Sequence, residues 1–183
     1  MSALPTQSMT VDEFLAWAEG RSGRYELVAG TVYAMSPERA LHAEAKLKAV
    51  NALAGGIQRA ALPCYALPDG MTVRVDDATA YEPDALVYCG KKLADDAVEV
   101  PEPIIVVEIA SPTTKAYDTG AKLEGYFKVG SVRHYLIVDP KRRRVIHHMR
   151  QDDGRILTTI AGDGVIELAP PGLNFAVADL FTA

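Results

Sequence analysis

The sequence predicts a single soluble α/β domain, and three observations carry that expectation. Stretches of helical and of strand periodicity follow one another along the chain, and the run 104–110 is apolar on both faces apart from one residue. No Ser/Gly-rich or Pro-rich stretch long enough to be a linker divides the 183 residues. Hydrophobic residues make up 49% and charged residues 23%, which suits a chain that buries a core and excludes a disordered or fibrous one.

Each element has a local reason. Thr10, Val11, Asp12 and Glu13 have the form of a capping box, and Val11, Phe14, Leu15 and Ala18 follow at helical spacing until Gly20 stops them. Residues 25–28 and 31–35 flank Ala29-Gly30 and read as a hairpin. Ser36-Pro37 is expected to cap a second helix that starts near Glu38, packs through Leu41, Ala45, Ala49 and Leu53, and weakens at Gly55-Gly56. Strands are expected at 64–67, 71–75 and 84–89, separated by Pro68-Asp69-Gly70 and by the polar stretch 76–81. Pro101 and Pro103 introduce the strand 104–110. A helix over 114–129 and strands at 133–138 and 143–149 come next, with Asp139-Pro140 as the turn between those strands. Short strands near 155–160 and 165–168 finish the series.

The first nine residues lack a basic region and an apolar core of a signal peptide and are expected to be flexible, and no apolar run reaches the eighteen or so residues of a membrane span. A cytoplasmic protein is the expectation. Cys64 and Cys89 lie far apart without metal-ligand spacing and read as core thiols.

The formal charge of −5 argues against a protein that coats nucleic acid non-specifically, because such binding rests on neutralising phosphates. The charge is uneven. Residues 110–150 hold nine Lys and Arg against three acids, a net of +6 that leaves −11 on the rest. There is no P-loop, no Rossmann glycine pattern and no Gly-x-Ser-x-Gly, so nucleotide hydrolysis, dinucleotide redox and esterase chemistry lack support. Two carboxylates could also serve as the acid and base of a glycosidase, but aromatics at 7% supply no sugar groove.

Glu108 is the residue that demands an explanation. An ionised carboxylate in a buried strand costs several kcal/mol unless it is paired or coordinated. Period-two geometry puts Glu108 on the face of Val106 and Ala110. Asp84, just after Pro83, starts another strand, and Glu26 lies in the first hairpin. Together these acids could supply oxygen ligands to Mg²⁺ or Mn²⁺; a structural ion pair with a buried Arg or Lys is the alternative. Asp118, Lys122 and Tyr126 fall at i, i+4 and i+8 on one helix face, where Lys122 could point at a phosphate or simply pair with Asp118, and Tyr126 reads as core. His42, one turn into the second helix, is a candidate neighbour of the cleft. His147 and His148 are adjacent on a strand, point to opposite faces and are set aside as ligands. The run Lys141, Arg142, Arg143, Arg144 at a turn could touch a phosphate backbone, although such runs are usually just solvated.

The segments Tyr25-Glu26-Leu27-Val28-Ala29-Gly30, Glu82-Pro83-Asp84, Val106-Val107-Glu108-Ile109-Ala110-Ser111-Pro112 and Tyr135-Leu136-Ile137-Val138-Asp139-Pro140, with Asp118, Lys122 and Tyr126 between them, resemble the Uma family of the restriction-endonuclease-like, PD-(D/E)XK superfamily. The resemblance spans about residues 9–180 and rests on the ordered set rather than on any one piece. It implies a mixed β-sheet flanked by helices, with extra β-hairpins in the C-terminal part, and metal-dependent hydrolysis of DNA phosphodiester bonds by a homodimer. Asp84 and Glu108 match the two acids of the motif and would ligate Mg²⁺ or Mn²⁺ with the Ile109 carbonyl. Glu26 matches the early acid of such folds. Ala110 stands where the motif has its lysine, and Lys122 is the expected substitute. A catalytically weakened module that binds nucleic acid or protein is the other reading the resemblance allows.

Overall fold

The first helix begins where its capping box predicts: the Glu13 N–H donates to Thr10 Oγ1 at 3.3 Å and the Thr10 N–H to Glu13 Oε2 at 2.8 Å. The structure, a computed structural model, describes residues 2–4, 7–110 and 118–181, with the backbone alone at 118 and 119. In chain order its elements are β1 (Ser2–Ala3), α1 (Val11–Ala18), β2 (Tyr25–Val28), β3 (Thr31–Ala34), α2 (Ala40–Arg59), β4 (Cys64–Pro68), β5 (Val73–Asp76), β6 (Thr79–Tyr81), β7 (Ala85–Cys89) and β8 (Pro103–Ile109). Then come α3 (Asp118–Lys128), β9 (His134–Asp139), β10 (Arg144–Arg150), β11 (Ile156–Ala161), β12 (Val165–Leu168), β13 (Leu173–Ala176) and a 3₁₀ turn (Val177–Leu180).

The central sheet runs β11-β10-β9-β8-β7-β4. Only β8 and β9 are parallel within it, and α3 lies in the connection between them, as a parallel pair requires. The sheet is mixed and helices flank it, as expected. Period-two geometry splits β8 between two cores. Ile105, Val107 and Ile109 pack with Ala45, Ala49, Leu53 and Phe175 on the side of α2 and β13, whereas Val106 joins Tyr126, Tyr135 and Ile137 on the side of α3. A second sheet, β1-β3-β2-β6-β5, closes the α3 side by way of Val73 and Tyr81.

Several boundaries differ from the sequence expectations for physical reasons. α2 starts at Ala40 without a side-chain cap, not near Glu38, and it continues through Gly55-Gly56 to Arg59. The glycine there is a packing device: a Cβ on Gly56 would lie 2.8 Å from the Asn174 carbonyl oxygen of β13, so tertiary contact outweighs the poor helix propensity. β6 sits inside the polar stretch expected to be a loop, and touches β2 in register only at Leu27 and Ala80. β1, at two residues, is too short for a pattern to announce it, and β13 is not among the strands the sequence predicts. The expected helical turn at 114–117 lies outside the described residues.

Cys64 and Cys89 are not thiols; they form a disulfide. They stand directly opposite in the β4–β7 pair with Cα atoms 3.9 Å apart, and a register between strands 25 residues apart cannot be read from cysteine spacing. Among the described residues no helix is long and apolar enough to cross a membrane.

His147 and His148 find different partners, as adjacent strand residues do. His148 Nδ1 lies 2.8 Å from Thr158 Oγ1. His134 Nε2 is 2.8 Å from the Pro170 carbonyl and must donate to it, so His134 Nδ1 accepts from His147 Nε2 at 2.9 Å, an arrangement that needs a neutral His134 ring. Burial pushes both imidazoles down to about 4, with the neighbouring His147 and His148 adding to the shift on His134 and His147 respectively. Unfolding restores an ordinary histidine that binds a proton near pH 6.5. Stability from this pair is therefore present above about pH 6.5 and is lost as pH falls towards 4. Thermal melts between pH 7 and 4 should show a falling midpoint, and a shallower fall in His147→Gln; identical slopes would contradict the assignment.

Candidate active site

The four candidate side chains come from four elements. Glu26 lies in β2, Asp84 immediately precedes β7, Glu108 is in β8 and Lys122 is in α3. Glu108 shares the α3 side of β8, and α3 answers it with two donors one turn apart. The Lys122 Nζ donates to Glu108 Oε1 at 2.9 Å and the Tyr126 hydroxyl donates to the same oxygen at 2.6 Å. Lys122 also donates to Glu26 Oε1 at 2.9 Å, and that oxygen accepts the Glu82 N–H at 3.0 Å. Gly125 makes this approach of α3 possible, since a Cβ there would lie 2.6 Å from a ring carbon of Tyr81. The Lys122 ammonium is 5.4 Å from the centre of that Tyr81 ring. The Asp118 side chain lies outside the described residues.

Burial pushes the Glu108 carboxyl up, to about 7; the Asp84 and Glu26 charges add to the rise, and Lys122 and Tyr126 oppose it. Lys122 has the opposite balance. Burial alone would lower it, but the Glu108 and Glu26 charges hold it well above the ordinary lysine value. Burial, then the same two carboxylates, push the Tyr126 hydroxyl well up, so it remains a phenol and a donor. Lys122 thus stays cationic between two acids, one of which is reluctant to ionise.

Asp84 is tied to the same strand end. Its Oδ2 accepts the Ile109 N–H at 2.7 Å, its own N–H donates to the Val107 carbonyl at 3.0 Å, and His42 Nε2 of α2 lies 3.2 Å from its Oδ1. Burial opposes ionisation of Asp84, yet the His42 hydrogen bond and charge, the Ile109 N–H and Lys46 outweigh it and hold the carboxyl below its usual value. The hydrogen bond to Asp84 in turn raises His42. His42, expected near the cleft, is thus in contact with Asp84.

The structure also brings in Glu38, which sequence reasoning passed over. Among the described residues, Glu38, His42 and Asp84 form a group whose possible ligand atoms all lie within 4.8 Å of one another. Glu26 and Glu108 stand outside it. Glu38 is already neutralised, however, by ion pairs with Arg24 and Lys46, which also share Asp69 at 2.8 and 2.6 Å. The four-residue spacing of Glu38 and His42 was the only signal in the sequence, and it is blunted because α2 starts after Glu38.

The residue types at this strand end are those a hard divalent cation takes, although Glu26, Asp84 and Glu108 do not group within 4.8 Å of one another as Glu38, His42 and Asp84 do. Buried Glu26 and half-buried Glu108 face Lys122, while buried Asp84 faces His42 and feels the charge of Lys46. Among the described residues Glu26 Oε2 is buried without a hydrogen-bond partner, and Lys122 and Tyr126 both donate to Glu108 Oε1 rather than Oε2. Oxygen donors with excess negative charge suit Mg²⁺ or Mn²⁺.

Comparison with known proteins bears on the family and the fold. The family model described as Uma2, putative restriction endonuclease, matches residues 11–178. An uncharacterised protein of Synechocystis sp. is 28% identical over 180 residues, which cover 94% of this chain and 91% of that protein. The crystal structure of a putative nuclease belonging to DUF820 from Anabaena variabilis shares the fold with a TM-score of 0.75, at 16% identity over 94% of this chain and 97% of that one.

Proposed function

The chain belongs to the Uma2 family of restriction-endonuclease-like proteins, and from that premise we propose that it is a divalent-metal-dependent endonuclease hydrolysing phosphodiester bonds in DNA. The observation that carries the reading is the convergence of Glu26, Glu108 and Lys122, with Asp84 hydrogen-bonded to the backbone beside Glu108. Asp84 and Glu108, with the Ile109 carbonyl, would hold Mg²⁺ or Mn²⁺. When bound, the ion supplies Lewis-acid polarisation of the phosphoryl oxygens and activation of water.

The remaining steps belong to the chain's own groups. Lys122 offsets the charge that develops on the scissile phosphate, from a helix rather than from the position of Ala110. Glu26 positions Lys122, Tyr126 orients Glu108 through its 2.6 Å hydrogen bond, and His42 orients Asp84. Residues 1–183 act as one such domain. A homodimer places two sites across a duplex, and the edge strand β11, with Ile156, Leu157 and Ile160 exposed, supports it. A cytoplasmic location fits a DNA substrate.

Supercoiled plasmid incubated with the protein in Mg²⁺ or Mn²⁺ should be nicked and linearised, and EDTA should prevent it. Plasmid left intact in both metals would contradict the proposal and favour the non-catalytic module.

A further inference from the structure

The turn between β9 and β10 carries Lys141, Arg142, Arg143 and Arg144, a run that the sequence leaves between phosphate contact and solvent. The structure gives three cations a common cleft instead. Lys141 and Arg143 from this turn and Lys48 from α2 line a cleft of about 200 Å³ with Glu44, Leu41 and Phe181.

The turn is rigidly built. The buried Asp139 Oδ1 accepts the N–H groups of Lys141 and Arg142 at 3.1 and 3.0 Å, and its Oδ2 accepts Arg142 Nη1 at 3.0 Å. Arg143 is held at φ 49°, its guanidinium donates to the Phe181 carbonyl at 3.3 Å and it lies 5.6 Å over the Phe181 ring. The charges are also unspent. Arg24, Lys46, Arg74, Lys122, Arg133 and Arg155 are each in ion pairs, whereas among the described residues no carboxylate pairs with Lys48, Lys141 or Arg143. Among the described residues Glu44 is the only acid lining the cleft, so their balance there is positive on a chain of formal charge −5.

Its place in the fold is at the same end of the central sheet as the candidate active site. β9 runs parallel to β8, and the Ala110 N–H donates to the Val138 carbonyl at 2.8 Å, so the turn leaves the sheet beside the strand end that carries Glu108. The first turns of α2 give Leu41 and Glu44 to the cleft and His42 to Asp84.

We propose that this cleft seats the sugar-phosphate backbone of DNA flanking the scissile bond, with Lys48, Lys141 and Arg143 on phosphate oxygens and Leu41 and Phe181 against sugar. The inference rests on the reading of the neighbouring site as a DNA endonuclease. Such contacts position a duplex without reading its sequence.

The test is the affinity for labelled duplex DNA in Ca²⁺ as a function of salt, for wild type and for Lys48→Gln/Lys141→Gln. The double variant should bind roughly tenfold or more weakly at 100 mM salt, equally for unrelated sequences, with the slope of log affinity against log salt reduced by about 2. Its melting temperature and Mn²⁺ affinity should match wild type, and Glu44→Gln should bind more tightly. Wild-type affinity and slope in the double variant, while the wild type binds DNA, would overturn the cleft and leave the nuclease reading standing. No DNA binding by the wild type would overturn both.

Discussion

Lys122→Met should lose DNA cleavage by about 10²–10³-fold or more, the effect of deleting a pre-positioned donor to developing charge. It should also destabilise the protein. Lys122 is buried between Glu26 and Glu108 at 2.9 Å from each, so its removal leaves two carboxylates facing one another without a cation. Breaking a buried ion pair by removing one partner typically costs about 3–5 kcal/mol. The loss should depend on pH in a defined direction. Glu108 already sits near 7, and without Lys122 it rises further, so it takes up a proton as pH falls and the penalty shrinks from pH 8 towards pH 5. Chemical denaturation at the two pH values measures this, and an equal loss at both would contradict it. Lys122→Met/Glu26→Gln separates the two roles, because removing one carboxylate should return stability without returning cleavage.

Glu108→Gln should do the reverse: cleavage falls by about 10³-fold or more, comparable to losing an indispensable charge-stabilising group, while stability holds or rises. The amide keeps an oxygen for Lys122 and Tyr126 but removes a charge that burial, Asp84 and Glu26 all disfavour. A site that strains against its own fold is the usual trade between stability and activity. The melting temperature at pH 8 and plasmid nicking, measured on the same preparation, test both halves. A destabilised Glu108→Gln, or one that still cuts, would contradict the role given to this carboxylate.

Much of this site was legible before the fold was. β8 announces itself because a strand covered on both faces can have few polar residues, and Glu108 stands out against that background. Lys122 and Tyr126 share a face because helical spacing dictates it. The role of Tyr126 was not legible. Its ring packs with Tyr81 and Tyr135, so the core reading is correct, and the hydroxyl that reaches Glu108 depends on how α3 docks. His42 and Glu38 meet Asp84 only through the packing of α2 near β7, a long-range fact that no local pattern encodes. The same holds for the Cys64–Cys89 bond and for the buried pair His134 and His147, which cross-strand geometry alone brings together.

The account turns on which carboxylates hold the ion, and Mn²⁺ titration of the apoprotein measures that most directly. The prediction is a site in the wild type that is lost in Asp84→Asn and Glu108→Gln and retained in Glu38→Gln, because Glu38 already serves Arg24 and Lys46. Binding that survives Glu108→Gln but disappears in Glu38→Gln would move the ion to Glu38, His42 and Asp84 and contradict the assignment of Glu108.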